Sequence, residues 1–315
     1  IETMESMFSS CEKLNQVNLK AFSFQNTKTT FNLFKGCKNL KNIIFNDSID
    51  SKNLETIEGM FENCSSLELI DLRNFNFTNI KTMANLFLNC TDLINVRFPE
   101  KEIDAIQVIN ISYMFSGCNK IQSFDFSNFN FGNLEDASFV FSDGHSLVKV
   151  GLEEFNCTKC KTLRGLFRNS KMLPEVDLCS FYVSEELKDI SLMFDNCISL
   201  TNIIMCNFIL GEDCKADYMF NNTIVKEIGL NYVNISEFFN YYLMFEGIDL
   251  SNVKIQLKGA IVNNAFINFL EEKNAIIIDD PRPQPSVSSL SPTSEPTPTP
   301  TSEPTPTSEP TTTSE

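Results

Sequence analysis

Eleven cysteines and a single histidine are the residues of this chain best placed to do chemistry. Cys157-Thr-Lys-Cys160 has the spacing of a zinc half-site or a redox dithiol. A structural zinc ion needs two further thiolates or imidazoles, and the local sequence supplies neither. A disulfide is the alternative in an oxidising compartment. Cys179 and Cys206 each stand one residue past a predicted strand, at equivalent places in neighbouring units, and form the candidate disulfide pair. Six others, Cys11, Cys37, Cys64, Cys90, Cys118 and Cys197, occupy one recurring position, where Gly144, Ser170 and Thr223 stand in other copies. A slot that accepts Gly, Ser or Thr reads as tight packing of a small side chain, against the alternative of a disulfide or metal ladder. The odd total leaves at least one thiol free or paired outside the chain.

Catalysis finds little support. His145 lies in a turn one place past the recurring cysteine slot, where other copies carry Glu12, Lys38, Ser65 or Asn119, so it reads as a solvated turn residue. No G-x-S-x-G accompanies it, and neither a G-x-x-x-x-G-K-[ST] nor a G-x-G-x-x-G phrase is present to cradle phosphates. The acidic pairs Glu153-Glu154 and Glu185-Glu186 read as solvated charge in connecting segments. We therefore expect no enzyme, no cofactor and no metal.

What positions these residues is a repeat. The phrase Met60–Leu72, M-F-E-N-C-S-S-L-E-L-I-D-L, recurs with its Phe at positions 8, 34, 61, 87, 115, 141, 167, 194, 220 and 245. The intervals are 26, 27, 26, 28, 26, 26, 27, 26 and 25 residues, and periodicity at this scale means a stacked array. Before each Phe, apolar residues sit at −7, −4, −1 and 0, as in Leu54, Ile57, Met60 and Phe61, which predicts a short helix of about two turns. After it, pairs such as Val17/Leu19, Val96/Phe98 and Val176/Leu178 alternate as in a short strand. The expected fold is an α/β repeat, a solenoid with one short parallel strand and one short helix per unit of about 26 residues. The recurring Phe should form core ladders, because each coil buries its apolar side only against its neighbours. Ile1, Met4, Met7 and Phe8 are already in register, so the sequence begins inside a repeat.

Phrases such as Cys64–Phe87, C-S-S-L-E-L-I-D-L-R-N-F-N-F-T-N-I-K-T-M-A-N-L-F, and Phe124–Leu134, F-D-F-S-N-F-N-F-G-N-L, resemble the BspA-type leucine-rich repeat over about residues 1–250. The chain departs from that pattern at Gly144, Ser170 and Thr223, and the copies after Phe220 and Phe245 are shortened. The resemblance implies a leucine-rich-repeat solenoid exposed on a cell surface or secreted, often for adhesion. It names no ligand.

Residues 1–280 form the repeat region, with Phe266, Phe269, Leu270 and the run Ala275–Ile278 read as a degenerate capping unit. Residues 281–315 hold ten of the twelve prolines in a Pro/Thr/Ser tract. Such a tract has nothing apolar to bury and is expected to be a disordered stalk or linker. The net charge of −16 argues against nucleic acid and anionic membrane as partners. No apolar run approaches the length of a membrane-spanning helix. Eight N-x-[ST] sequons occur, at Asn46, Asn63, Asn76, Asn89, Asn110, Asn156, Asn221 and Asn234, and those at Asn63, Asn89 and Asn221 coincide with the repeat's own asparagine.

Outward strand residues alternate with core residues, so stacking should build variable columns on one face. One column runs Asn18, Ile44, Asp71, Arg97, Asp125, Gly151, Asp177, Ile204; the column before it holds Leu69, Lys149 and Glu175. Asn18, Leu69, Asp71, Arg97, Asp125, Lys149, Glu175 and Asp177 are the candidate partner-binding residues, with Ile44 and Ile204 expected to be exposed beside them. The function expected is non-enzymatic recognition of a protein or glycan ligand, with a self-associating secreted scaffold as the alternative.

Overall fold

Except before Phe245, the apolar stripe before the anchor Phe does not form the expected helix, and the backbone shows why. In the computed structural model, which describes residues 1–153 and 155–281, the residues two before and two after each anchor Phe from Phe8 to Phe220 take positive φ. In the unit of Phe61 these are Gly59 (φ 60°) and Asn63 (φ 59°); in that of Phe87 they are Asn85 (56°) and Asn89 (57°). A left-handed residue every fourth position interrupts the run of right-handed residues that a helix needs. The chain makes successive turns instead, and its N–H groups alternate between two kinds of partner. Met60, Glu62 and Cys64 donate within the coil to Ile57, Gly59 and Phe61, while Phe61 and Asn63 donate to Leu86 and Leu88 of the next coil. The segment is thus stitched to its neighbour, as a helix could not be. The 3.6-residue spacing of apolar side chains survives because the turns also step by three and four.

Strands fall where the period-two pairs place them: β1 (Gln16–Asn18), β2 (Asn42–Ile44), β3 (Leu69–Asp71), β4 (Asn95–Arg97), β5 (Ser123–Asp125), β6 (Lys149–Gly151), β7 (Glu175–Asp177), β8 (Asn202–Cys206), β9 (Glu227–Asn231), β10 (Lys254–Gln256) and β11 (Ile276–Ile278). All pair in parallel, and, beyond the one strand per unit expected, six coils among the described residues carry a second, two-residue strand, as Ile103–Asp104 beside Phe129–Asn130. Parallel bridges also run from Thr3 through Thr29, Thr56 and Thr82 as far as Lys215 on the turn side. Only two α-helices occur among the described residues, α1 (Tyr241–Met244) and α2 (Asn264–Glu272), both in the last coils. The architecture is a leucine-rich-repeat solenoid.

Its core is a file of rings. Neighbouring anchor Phe are stacked from Phe8–Phe34 (5.3 Å between centroids) through Phe61–Phe87 (5.5 Å) to Phe220–Phe245 (5.5 Å). Phe266 of α2, 6.3 Å from Phe245, extends the file by one ring. The predicted capping unit is therefore a helix start: the Asn263 carboxamide accepts from the Phe266 N–H at 2.8 Å, and Phe266, Ile267, Phe269 and Leu270 are buried over the last coil. Phe155 and Phe181, after their strands, form a second stack at 4.9 Å.

The recurring cysteines are hydrogen-bond donors. The thiols of Cys37, Cys64, Cys90, Cys118 and Cys197 each donate to the carbonyl of the anchor Phe one coil back, at 3.0–3.1 Å. Ser170 makes the same bond to Phe141 at 2.9 Å, which explains why serine can replace cysteine there. Burial pushes the Cys37 thiol up to about 11 and that of Cys197 up to about 12, and raises Cys64, Cys90 and Cys118 as well. These thiols stay protonated at neutral pH, as donors must. An unfolded thiol ionises near pH ~8.5, so the folded state, whose thiols hold their protons longer, loses stability as pH rises from there through the folded value of Cys37. We expect melting temperatures to fall above about pH 9, and a Cys37→Ser, Cys64→Ser, Cys90→Ser, Cys118→Ser, Cys197→Ser variant to show a shallower fall. In the native protein, thiol reagents should label the exposed Cys11 far faster than these five.

The proline-rich stretch, apart from Pro281, and Glu154 lie outside the described residues.

Candidate interaction face and its clefts

The eight candidate residues occupy the first or third positions of β1, β3, β4, β5, β6 and β7, each half-buried or exposed beside a central core residue. Ile44 and Ile204, expected to be exposed, are half-buried instead, because neighbouring coils cover part of each side chain. The acidic column has local work as well. Asn18, Asp71, Asp125 and Asp177 each accept, through one side-chain oxygen, the backbone N–H two residues on. This Asx turn bends the chain away after the strand. Asp71 is further held by Arg73 at 2.7 Å, with Arg97 at 3.9 Å, and hydrogen bonding from Arg73 above all keeps its carboxyl below the ordinary range. Asp71 is thus largely spent on Arg73, while Arg97 makes only the long contact to it.

The face is not one continuous sheet. Strands pair as β1–β2, β3–β4, β5–β6 and β7–β8–β9–β10–β11, with seams at β2/β3, β4/β5 and β6/β7. At the last seam a ladder donor is missing. Within the paired runs the residue before a strand donates to its counterpart one coil back, as Val148 does to Gln122 (2.8 Å) and Thr201 to Pro174 (2.9 Å). In β7 that residue is Pro174, which accepts from Thr201 but has no N–H to offer Val148. At the β4/β5 seam the unit carries two extra residues, since Phe87 and Phe115 are 28 apart.

These two seams open as clefts on either side of β5–β6. The cleft between β6 and β7, about 470 Å³, is lined by Lys149, Glu153, Glu175, Asp177, Ser180 and Asn202 among others. The cleft between β4 and β5, about 430 Å³, is lined by Asn95, Pro99, Asp125, Asn128 and again Lys149. The floor between them depends on Gly151: a Cβ there would lie 2.4 Å from an Asp125 carboxylate oxygen, so glycine lets the Asp125 side chain rest across β6. In the β6/β7 cleft the Asn202 amide oxygen is buried with no hydrogen-bond partner among the described residues.

The structure therefore brings Asp125, Lys149, Glu175 and Asp177 together around two clefts. It leaves Asn18, Leu69, Asp71 and Arg97 elsewhere on the face. Gly151 and Asn202 stand in the variable columns without being singled out, and Ser180 lies outside them; Pro174 was the available signal, because a proline ahead of a strand removes a ladder donor.

Close to the β6/β7 cleft, Cys179 and Cys206 are bonded across adjacent coils with Cα atoms 4.5 Å apart, and Cys157 and Cys160 are bonded within one coil. The C-x-x-C pair is therefore a buried disulfide here. His145 is exposed in its turn, and no cluster of three or more potential metal ligands occurs among the described residues. The repeat sequon asparagines serve the turns: the Asn89 amide donates to Asn63 (3.0 Å), and that of Asn221 to Asp195 (2.8 Å).

A stacked, non-globular array with a grooved strand face is the class of protein these features define. The chain belongs to the family described as "Mycoplasma protein of unknown function, DUF285", whose model matches residues 1–69, 55–175, 109–233 and 146–257. That is not a BspA-specific family. Among solved structures, the chain is similar to a leucine-rich repeat protein from Bacteroides ovatus ATCC 8483, with 14% identity over 88% of this chain and 87% of that one and a TM-score of 0.31. It is also similar to a leucine-rich-repeat protein of Leptospira interrogans, with 11% identity over 80% and 82% and a TM-score of 0.27. The solenoid reading rests on the ladders and register above, not on these superpositions. No curated protein is similar enough to count as a relative.

Proposed function

We propose that this chain is a non-enzymatic recognition module, carried on a cell surface or secreted, that meets a protein partner with its strand face around β5–β7. The observation that carries the reading is the β6/β7 cleft, where a broken ladder exposes a recess walled by Glu153, Glu175 and Asp177 against the single Lys149. Such a recess suits a partner whose contacting side chains are basic. Two disulfides support an oxidising location, since such bonds seldom persist in reducing compartments. Among the described residues no helix is long and apolar enough to cross a membrane.

The test is binding of the chain to an array of secreted and matrix proteins, repeated with two variants. Asp177→Asn and Asp125→Asn keep the oxygen that caps the turn and remove only the charge. We expect Asp177→Asn to weaken capture on the positive spots by about three- to tenfold, the worth of one charge-assisted contact. Asp71→Asn should change it little. Equal capture by all variants would sink the assignment to these clefts.

A further inference from the structure

On the turn side of the solenoid, away from the strand face, a second groove has a construction that the stacking does not require. The residue two before each anchor Phe from Phe8 to Phe220 has positive φ, and in the first four coils it is Ser6, Asn32, Gly59 or Asn85. In the fifth and sixth coils the same position holds Tyr113 (φ 57°) and Phe139 (56°), then Gly165 (59°), and later Leu192 (60°) and Tyr218 (56°). A bulky residue in that conformation costs about 1–2 kcal/mol, and strain kept in this way concentrates at functional positions. Tyr113 and Phe139 are stacked at 4.8 Å, with an interplanar angle of 13°. The outer face of Phe139 lies over Gly165, where a Cβ would come within 2.3 Å of the ring. Tyr113 is 37% exposed and lines a groove together with Asn85.

Beside these rings runs a groove of about 340 Å³, with Leu88 at one end and Arg168 at the other. Its floor is the Ser116 and Ser142 hydroxyls, 2.7 Å apart and both more than nine-tenths buried. Two hydroxyls share one hydrogen bond between them, so one proton remains to be given to whatever fills the groove. At the rim, Asp143 has one carboxylate oxygen fixed by the Asn169 amide (2.7 Å). The Arg168 Nε is committed to the buried Asp195 (2.9 Å), and its outer guanidinium N–H groups have no hydrogen bond among the described residues. The groove thus presents exposed aromatic surface at Tyr113, a spare hydroxyl proton, an anchored carboxylate acceptor and anchored guanidinium donors within one short span.

We propose that this groove binds a hexopyranose unit, free or as part of a glycan. A sugar ring has an apolar C–H face that lies on an aromatic ring, and hydroxyls that each donate and accept. Asp143 takes protons from such hydroxyls, and Arg168 and the serine pair give them. A small anion would meet Asp143 and Asp195, and an apolar peptide side chain would leave the serine proton and Arg168 unanswered. The site is separate from the strand face and does not depend on the reading given to that face.

The decisive experiment is saturation-transfer NMR on the whole chain with the methyl pyranosides of glucose, galactose, mannose and N-acetylglucosamine. Transfer to the ring protons of at least one glycoside is expected, with at least about tenfold weaker binding in Tyr113→Asn and Phe139→Asn, as loss of a stacked ring and its neighbours implies. Asparagine is the residue Asn32 and Asn85 provide at this position, so both variants should melt at or above the parent temperature. Arg168→Lys, which keeps the charge and loses the planar fork, should weaken binding as well. Asp177→Asn, on the other face, should not. No transfer with any of the four glycosides overturns the proposal, and so does a clear loss of thermal stability in Tyr113→Asn and Phe139→Asn, which would make the rings structural. A glycan array then separates a free hexose from one within a chain.

Discussion

Replacing Phe115 by Ala should destabilise the protein by about 3–5 kcal/mol, the cost of emptying a large, fully buried aromatic site. Phe115 sits in the middle of the ring file, stacked on Phe87 at 5.4 Å and on Phe141 at 5.8 Å, with Phe124 4.5 Å away. A globular core could relax into the hole from every side. Here the neighbours are held by their own coils, and the lost ring also uncouples the array at its centre. Denaturation should therefore change in shape as well as midpoint, from one transition toward two as the halves on either side melt separately. Phe8→Ala is the control, because that half-buried ring has a stacked partner on one side only among the described residues. Urea melts showing the two variants within about 1 kcal/mol of each other would mean that the file is not the main cohesion between coils.

The second large effect should come from the Cys179–Cys206 bond. It links residues 27 apart in sequence, and closing a loop of that size is worth about 3.5 kcal/mol through the unfolded chain. Cys157–Cys160 spans only 3 positions, for which the same relation gives about 2 kcal/mol. The Cys179→Ser, Cys206→Ser double variant should melt well below the parent, and below the Cys157→Ser, Cys160→Ser variant. Dithiothreitol should lower the parent's melting temperature toward that of a variant lacking all four. A parent unaffected by reductant would show that neither bond contributes in solution. Because the long link stands beside the β6/β7 cleft, its loss should also loosen partner capture if the strand face binds as proposed.

Much of this structure was legible in the residues. The spacing of Phe8 through Phe245 fixed the number of coils and which rings must meet. The pairs Val17/Leu19 through Val176/Leu178 fixed the strands and hence which side chains face outward, since alternation leaves only one assignment per strand. The interchange of Cys with Ser at position 170 announced a small buried slot; that the slot is a donor to the preceding Phe carbonyl became visible only with the coils side by side. The expected helix failed for a reason also written in the sequence. Gly36, Asn63, Asn89, Gly117, Asp143 and Asn169 mark the left-handed position after each Phe. Tyr113, Phe139, Leu192 and Tyr218 obscure the matching signal before it.

The sequence by itself determined the repeat, its core ladders and the column of Asp71, Asp125 and Asp177, because periodic burial depends only on which residues recur at which spacing. The tertiary structure alone decided where that column opens into a site. A missing N–H at Pro174 matters because Val148 lies opposite it one coil away, and Gly151 matters because the Asp125 carboxylate lies across it. The Ser116 and Ser142 hydroxyls become a floor only once residues 26 apart are brought to 2.7 Å. Contacts between coils depend on register, and register is a property of neighbours rather than of any one repeat.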